Sequence, residues 1–162
     1  MKPTQPLPLS LYIHFPWCLK KCPYCDFNSH EFTGELPEQN YINALLTDLE
    51  QDINFFKESR PIKSIFMGGG TPSLFSPDAI HSLLANIKKL IPVNATAEIT
   101  LEANPSTFEN QKFSEFKSAG INRLSIGIQS FNDSLLKNLG RTHNSQMAMN
   151  AGAIAHSAGF NN

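Results

Sequence analysis

The sequence predicts an α/β fold: a parallel sheet of about four strand–helix units curling into part of a TIM-type barrel. Three observations carry that expectation. Four short segments rich in β-branched and aromatic residues are each followed by a turn signal. Stretches with the helical spacing of apolar residues separate them. Glycine-rich or polar residues follow every one of the four strands. This favours a barrel, which collects its site from most strand ends, over a doubly wound sheet, whose ligand sits at one switch point.

The first strand is expected at residues 11–15, with Tyr12 and His14 on the face opposite Ile13 and Phe15. Ile42, Leu45, Leu49, Ile53 and Phe56 then share one face of a first helix. A second strand at 62–67 leads to a second helix, with Ile80, Leu83, Leu84, Ile87 and Leu90 on its apolar face. Ser76 as N-cap and Pro77 in the first turn fix its start. The third strand is expected at 98–103, followed by a shorter helix bearing Phe113, Phe116 and Ala119 and ended by Gly120. After a fourth strand at 123–128 come helical stretches at 132–139 and 145–158. Ala148, Ala151, Ala155 and Ala158 give the last of these a small-residue face. Crossovers should be right-handed, and most of the twelve phenylalanines should be core. His81 and His156 read as surface or packing residues on helices, and His143, near Arg141, as the one histidine beside a site.

Composition limits the function classes. At 162 residues, 41% hydrophobic and 17% charged, the chain has the material for one core. A proline-rich tail is expected at residues 1–9 and a core domain at 10–162. Thirteen basic against fourteen acidic residues, with no basic run, give no footprint for nucleic acid or a membrane surface. The opening MKPTQPLPLS carries three prolines where a secretory signal needs an apolar segment, so a cytoplasmic location is expected. Three cysteines within eight positions point to ligation in a reducing compartment rather than a disulfide framework.

Those cysteines are Cys18, Cys22 and Cys25, spaced C-x3-C-x2-C after the first strand. Structural zinc wants four ligands, and only a histidine such as His14 or His30 is on hand as the fourth. Three thiolates in one loop suit a [4Fe–4S] cluster better, each taking one iron and leaving the fourth iron without a protein ligand. Lys20 and Lys21 bring positive charge to the thiolates, and Phe15, Trp17, Tyr24 and Phe27 bring apolar cover.

Strand two ends in Gly68-Gly69-Gly70-Thr71-Pro72, which reads equally as a tight turn or as backbone left bare for a ligand. No Gly-Lys-Ser/Thr follows, so a nucleoside triphosphate is not indicated. Glu102 at the end of strand three is placed to accept from a ribose, or is a solvated or helix-start charge. Gln129 ends strand four, and Arg141 follows twelve residues on as a carboxylate partner.

Taken together, CxxxCxxC, GGGTP, Glu102, Gln129 and Arg141 resemble the radical S-adenosylmethionine superfamily. YIHFPWCLKKCPYCDFNSH, GGGTPSLF, EANP and RLSIGIQSFND resemble, within it, the heme chaperone branch of the oxygen-independent coproporphyrinogen oxidase group. The resemblance implies a partial (β/α)6 barrel, of which this chain carries about four units. It implies that Cys18, Cys22 and Cys25 hold the [4Fe–4S] cluster and that Tyr12, Gly69 and Glu102 contact S-adenosylmethionine. Tyr24, Gly70, Thr71, Gln129 and Arg141 match contacts to a second cofactor molecule in the dehydrogenase branch. That branch carries a further cysteine where this chain has Phe27, so the resemblance implies heme as cargo, with decarboxylation of coproporphyrinogen III as the alternative. Implied partners are heme or porphyrin, heme-acceptor proteins including a membrane-associated one, and an electron donor to the cluster. The chain is also expected to be an N-terminal fragment that stops where a fifth strand should begin, leaving an open sheet edge and marginal stability in isolation.

Overall fold

The computed structural model describes residues 7–106 and 111–162. Residues 1–6 of the expected tail lie outside the described residues, and the first strand, β1, already starts at Leu9 (Leu9–Phe15). Two two-residue strands follow, β2 (Trp17–Cys18) and β3 (His30–Glu31), and then helix α1 (Glu38–Phe56). Next come β4 (Ile62–Gly69), a 3-10 turn at Pro72–Leu74 and α2 (Pro77–Leu90). The chain continues through β5 (Val93–Ala103), α3 (Phe113–Ala119), β6 (Arg123–Ile126), α4 (Asp133–Asn138) and α5 (Ser145–Ser157).

The main sheet has the order β1-β4-β5-β6, and every neighbouring pair is parallel. The order never reverses among the described residues. Successive right-handed crossovers then put their helices on one face, which is barrel geometry and not the doubly wound alternative.

On the covered face, Ile13, Phe15, Ile65, Met67, Ile99 and Leu101 are buried against Ile80, Leu83, Leu84 and Ile87 of α2 and Phe113 and Phe116 of α3. Each such side chain contributes about 1.5–3 kcal/mol on burial. The start of α2 is capped as the sequence predicts: Ser76 Oγ accepts from the Ala79 amide at 3.2 Å. The Ser76 hydroxyl and amide in turn donate to the Glu38 carboxylate, each at 2.6 Å, which ties α1 to α2. Ala148, Ala151 and Ala155 bring α5 against α3, and Phe160 sits beneath Lys117 with Nζ 4.9 Å from the ring centre.

The opposite face is the barrel interior, and it is layered as barrel interiors are. Tyr12, Phe66, Thr100 and Arg123 stand in register across the four strands. Tyr12 and Phe66 stack with centroids 6.3 Å apart, and Arg123 donates to Thr100 Oγ1 at 3.3 Å. Beyond β6, the Leu124 amide donates to the Asn162 carbonyl at 3.1 Å.

Several expectations need correction. β5 begins at Val93, ahead of the expected start, because Val93 pairs with Ile62 across an irregularity in β4 that periodicity does not reveal. β6 stops at Ile126: the Gly127 amide makes the last rung, to the Ala103 carbonyl, and the Ile128 amide then turns back to Ile126 O at 2.9 Å, so the chain leaves the ladder. Phe56 is exposed where a buried face was expected. It is the last residue of α1 and packs edge-on to Phe55 instead. Nor are most phenylalanines core. Phe15, Phe75, Phe113, Phe116 and Phe160 are buried, whereas Phe27, Phe55, Phe56 and Phe131 are exposed and Phe108 lies outside the described residues.

Candidate functional site

The three cysteines lie in a loop whose two ends are stapled together. β2 and β3 pair in parallel, with the His30 amide donating to Pro16 O at 2.7 Å and the Phe32 amide to Cys18 O at 3.2 Å. Within the loop, Cys22-Pro23-Tyr24-Cys25 closes a turn, the Cys25 amide reaching Cys22 O at 3.0 Å with proline at the position that favours its fixed φ. Lys21 holds the loop's far side: its ammonium donates to Phe27 O and Ser29 O, and its amide to Glu31 Oε1. That lysine is therefore a strut of the loop, while Lys20 is the lysine that lines the cleft with the cysteines.

A second tether runs to the barrel interior. His14 Nε2 lies 2.7 Å from Asn28 O, and Nδ1 lies 3.0 Å from the Tyr12 hydroxyl. A carbonyl can only accept, so Nε2 donates and Nδ1 is left to accept from Tyr12. Tyr12 is raised above the usual phenol range by burial and by the Glu102 charge. Its hydroxyl keeps its proton.

At each of the three glycines the protein itself occupies the space a side chain would need, most rigidly at Gly69 and Gly70. A Cβ on Gly68 would lie 2.9 Å from Glu102 Oε2. On Gly69 it would lie 2.5 Å from the His14 ring, and on Gly70 2.5 Å from Trp17 O. Gly69 also has a φ of +109°. The Gly70 amide donates to Phe15 O and the Thr71 amide to Trp17 O, locking the end of β4 to the base of the cysteine loop. Gly69 and Gly70 form the turn and also line the cleft.

Glu102 closes the next strand end. The Gly69 amide donates to its Oε2 at 3.2 Å. Burial raises its carboxyl above the ordinary value, and this amide offsets part of the rise. Gln129 is exposed at the mouth of β6 with a φ of +66°, a strained conformation for a residue with a side chain.

Arg141 joins the strand ends together. Its Nη2 donates to Asn104 Oδ1 at 2.7 Å and to Gly127 O at 2.6 Å, and its Nη1 lies 3.4 Å from both Cys22 Sγ and the Tyr24 hydroxyl. Four of its five N–H groups are thereby engaged, and the buried Nε has no acceptor among the described residues. Burial and the Cys22 sulfur raise the Tyr24 phenol, against the opposing effect of Arg141. His143 does not line the cleft. It is buried beneath it, bonded through Nε2 to Ile128 O at 3.0 Å, and burial holds its imidazole below the usual value.

These groups surround one cleft of about 460 Å³. Cys18, Cys22, Cys25, Tyr24, Gly69, Gly70, Thr71, Glu102, Gln129 and Arg141 all line it. Tyr12 stands apart from the lining and acts on the loop through His14. Sequence reasoning missed the part played by Asn104, which lines the cleft, accepts from Arg141 and donates to Thr71 Oγ1 at 3.2 Å. Its place at a strand end before a proline was the available signal. Among the described residues, no group of three His, Cys, Asp or Glu side chains is positioned to hold a metal ion. Three soft thiol donors spread around a cleft suit a cluster, in which each binds a different iron, better than a single zinc.

Comparison with known proteins gives a consistent picture. A family model described as the Radical SAM superfamily matches residues 12–162. A curated protein of Escherichia coli K12 named heme chaperone HemW is 51% identical over 153 residues, covering 94% of this chain and 40% of that protein. The Haemophilus influenzae protein of the same name is 56% identical over 156 residues, covering 94% of this chain and 41% of that one. Among solved structures, Escherichia coli coproporphyrinogen III oxidase (HemN), described as a radical SAM enzyme, superposes with a TM-score of 0.83 at 29% identity. The overlap covers 95% of this chain and 35% of that structure. This chain thus spans about two-fifths of the length of the curated relatives it matches.

Proposed function

The chain belongs to the radical SAM superfamily, and from that premise we propose that Cys18, Cys22 and Cys25 hold a [4Fe–4S] cluster beside S-adenosylmethionine in a protein that binds heme and delivers it to acceptors. The observation that carries the site is the meeting of three thiols with the polar ends of β4, β5 and β6 around one cleft. The cargo reading rests on the 51% and 56% identity to relatives named heme chaperones, against 29% to the coproporphyrinogen oxidase. Phe27 in place of a further cysteine agrees with it.

When bound, the cluster supplies one electron at low potential to the sulfonium of S-adenosylmethionine. The chain's own residues hold and shape the site. The stapled loop fixes the spacing of the three thiols, and His14 and Lys21 brace it from either side. Glu102 presents its free carboxylate oxygen to a ribose or ammonium donor, while the Gly69 amide holds the other. Tyr24, Gly70, Thr71, Gln129 and Arg141 line the remainder of the cleft, where a second cofactor molecule or the porphyrin edge would lie. Tyr24 and Phe27 cover the mouth with aromatic surface and limit water.

The test is anaerobic reconstitution of the full-length protein, followed by iron, sulfide and zinc analysis and incubation with heme, or with coproporphyrinogen III, reductant and S-adenosylmethionine. About four irons and four sulfides per chain with stoichiometric heme binding are expected. Stoichiometric zinc without iron would overturn the cluster. Formation of protoporphyrinogen would replace the chaperone reading with the dehydrogenase, the alternative favoured by the superposition on the coproporphyrinogen oxidase.

A further inference from the structure

We propose that Gly140 and Arg141 form a clamp that seats the cysteine loop and sets the electron affinity of whatever Cys22 ligates. Two independent contacts meet there. Pro23, the residue after Cys22, packs where a side chain on residue 140 would stand: a Cβ on Gly140 would lie 2.9 Å from Pro23 Cδ, and Gly140 has a φ of +70°. One residue on, Arg141 reaches Cys22 Sγ at 3.4 Å, an ordinary N–H···S distance. The same guanidinium is fixed from behind by Asn104 Oδ1 and Gly127 O, so it cannot swing away without breaking two short bonds.

The clamp rests on the cluster reading above and adds to it. Adding an electron makes a thiolate-ligated cluster more negative. A cation and a hydrogen bond at one of its sulfurs favour that state over the oxidised one, so the potential rises. Because the anchors of Arg141 lie on the ends of β5 and β6, the barrel rather than the loop dictates where this charge sits. Arg141 is on this account a positioning residue for Cys22. With Nη1 and Nη2 engaged and Nε buried, the guanidinium is held in the clamp.

The experiment uses the full-length protein, reconstituted anaerobically, as wild type, R141M, R141K and G140A. It reads iron content, the low-temperature EPR spectrum of the dithionite-reduced form, the midpoint potential, and the melting curve before reconstitution. R141M is expected to load iron and to reduce at a more negative potential, by about tenfold in the one-electron equilibrium or ~59 mV. R141K, which keeps the charge but not the fork, is expected to fall between. G140A is expected to melt somewhat lower, from the strain of a side chain at a φ of +70°, and to load less than half the iron, because Pro23 is pushed off its seat. Full loading with an unchanged potential and EPR spectrum in R141M would overturn the proposal while leaving the cluster intact. Zinc in place of iron in the wild type would instead sink the reading on which it rests. Should R141M fail to fold, R141K decides by the same readings, an unshifted potential and spectrum counting against the clamp.

Discussion

The imidazole of His14 fills the space that a side chain on Gly69 would need, with its Cε1 and Nδ1 2.5 Å from the position of an added Cβ. The glycine thereby admits the histidine that tethers the cysteine loop through Asn28.

Gly69→Ala is expected to displace His14 and release Asn28 O, with backbone strain at a φ of +109° adding roughly 1–3 kcal/mol. The readouts are iron bound on reconstitution and the melting temperature, and both should fall. A variant that loads iron normally would show that the tether is dispensable.

Glu102 makes the stability of the chain pH-dependent. Burial raises its folded pKa above the ordinary glutamate value of 4.5. The carboxyl's contribution is therefore fully present below that unfolded value and is lost as pH rises through the folded one. Glu102→Gln should flatten this part of the stability profile above pH 4.5 and leave the protein at least as stable at neutral pH. It should also weaken S-adenosylmethionine binding by roughly 10- to 100-fold, the range for a hydrogen bond to a charged group. Melts across pH, paired with calorimetric titration, check both halves.

Phe75 is fully buried beneath the base of the cysteine loop, edge-on to Phe15 with centroids 4.9 Å apart and close to Trp17 and Tyr41. Phe75→Ala is expected to cost about 3–5 kcal/mol, read by urea unfolding. Trp17 emission should shift to the red as its packing loosens.

Ser76 is bonded on both sides, to Ala79 as N-cap and to Glu38 across the helix pair. Ser76→Ala should destabilise by about 0.5–2 kcal/mol without altering cluster loading, since it lies outside the cleft. A loss of iron in this variant would show that the helix layer and the site are coupled.

Much of the architecture was legible because local patterns write it directly. The period of α2 reports its buried stripe, and Ser76-Pro77 its start. Cys18, Cys22 and Cys25 stand in a single loop, where their spacing is visible directly. Where signals were local but ambiguous, as at Phe56 or the start of β5, neighbours distant in sequence decided the outcome.

By itself, then, the sequence determined the element order, the parallel strand–helix repeat and the gathering of three thiols in one loop, since each depends on residues within a few positions of one another. Only the tertiary structure decided that each glycine of Gly68-Gly69-Gly70 yields its space to a different neighbour. The same is true of His14 and Lys21 as braces of the loop, and of Arg141, whose four engaged N–H groups face residues up to 119 positions away. Such contacts carry no periodicity, because they arise only when parallel strands bring their ends to one side of the sheet.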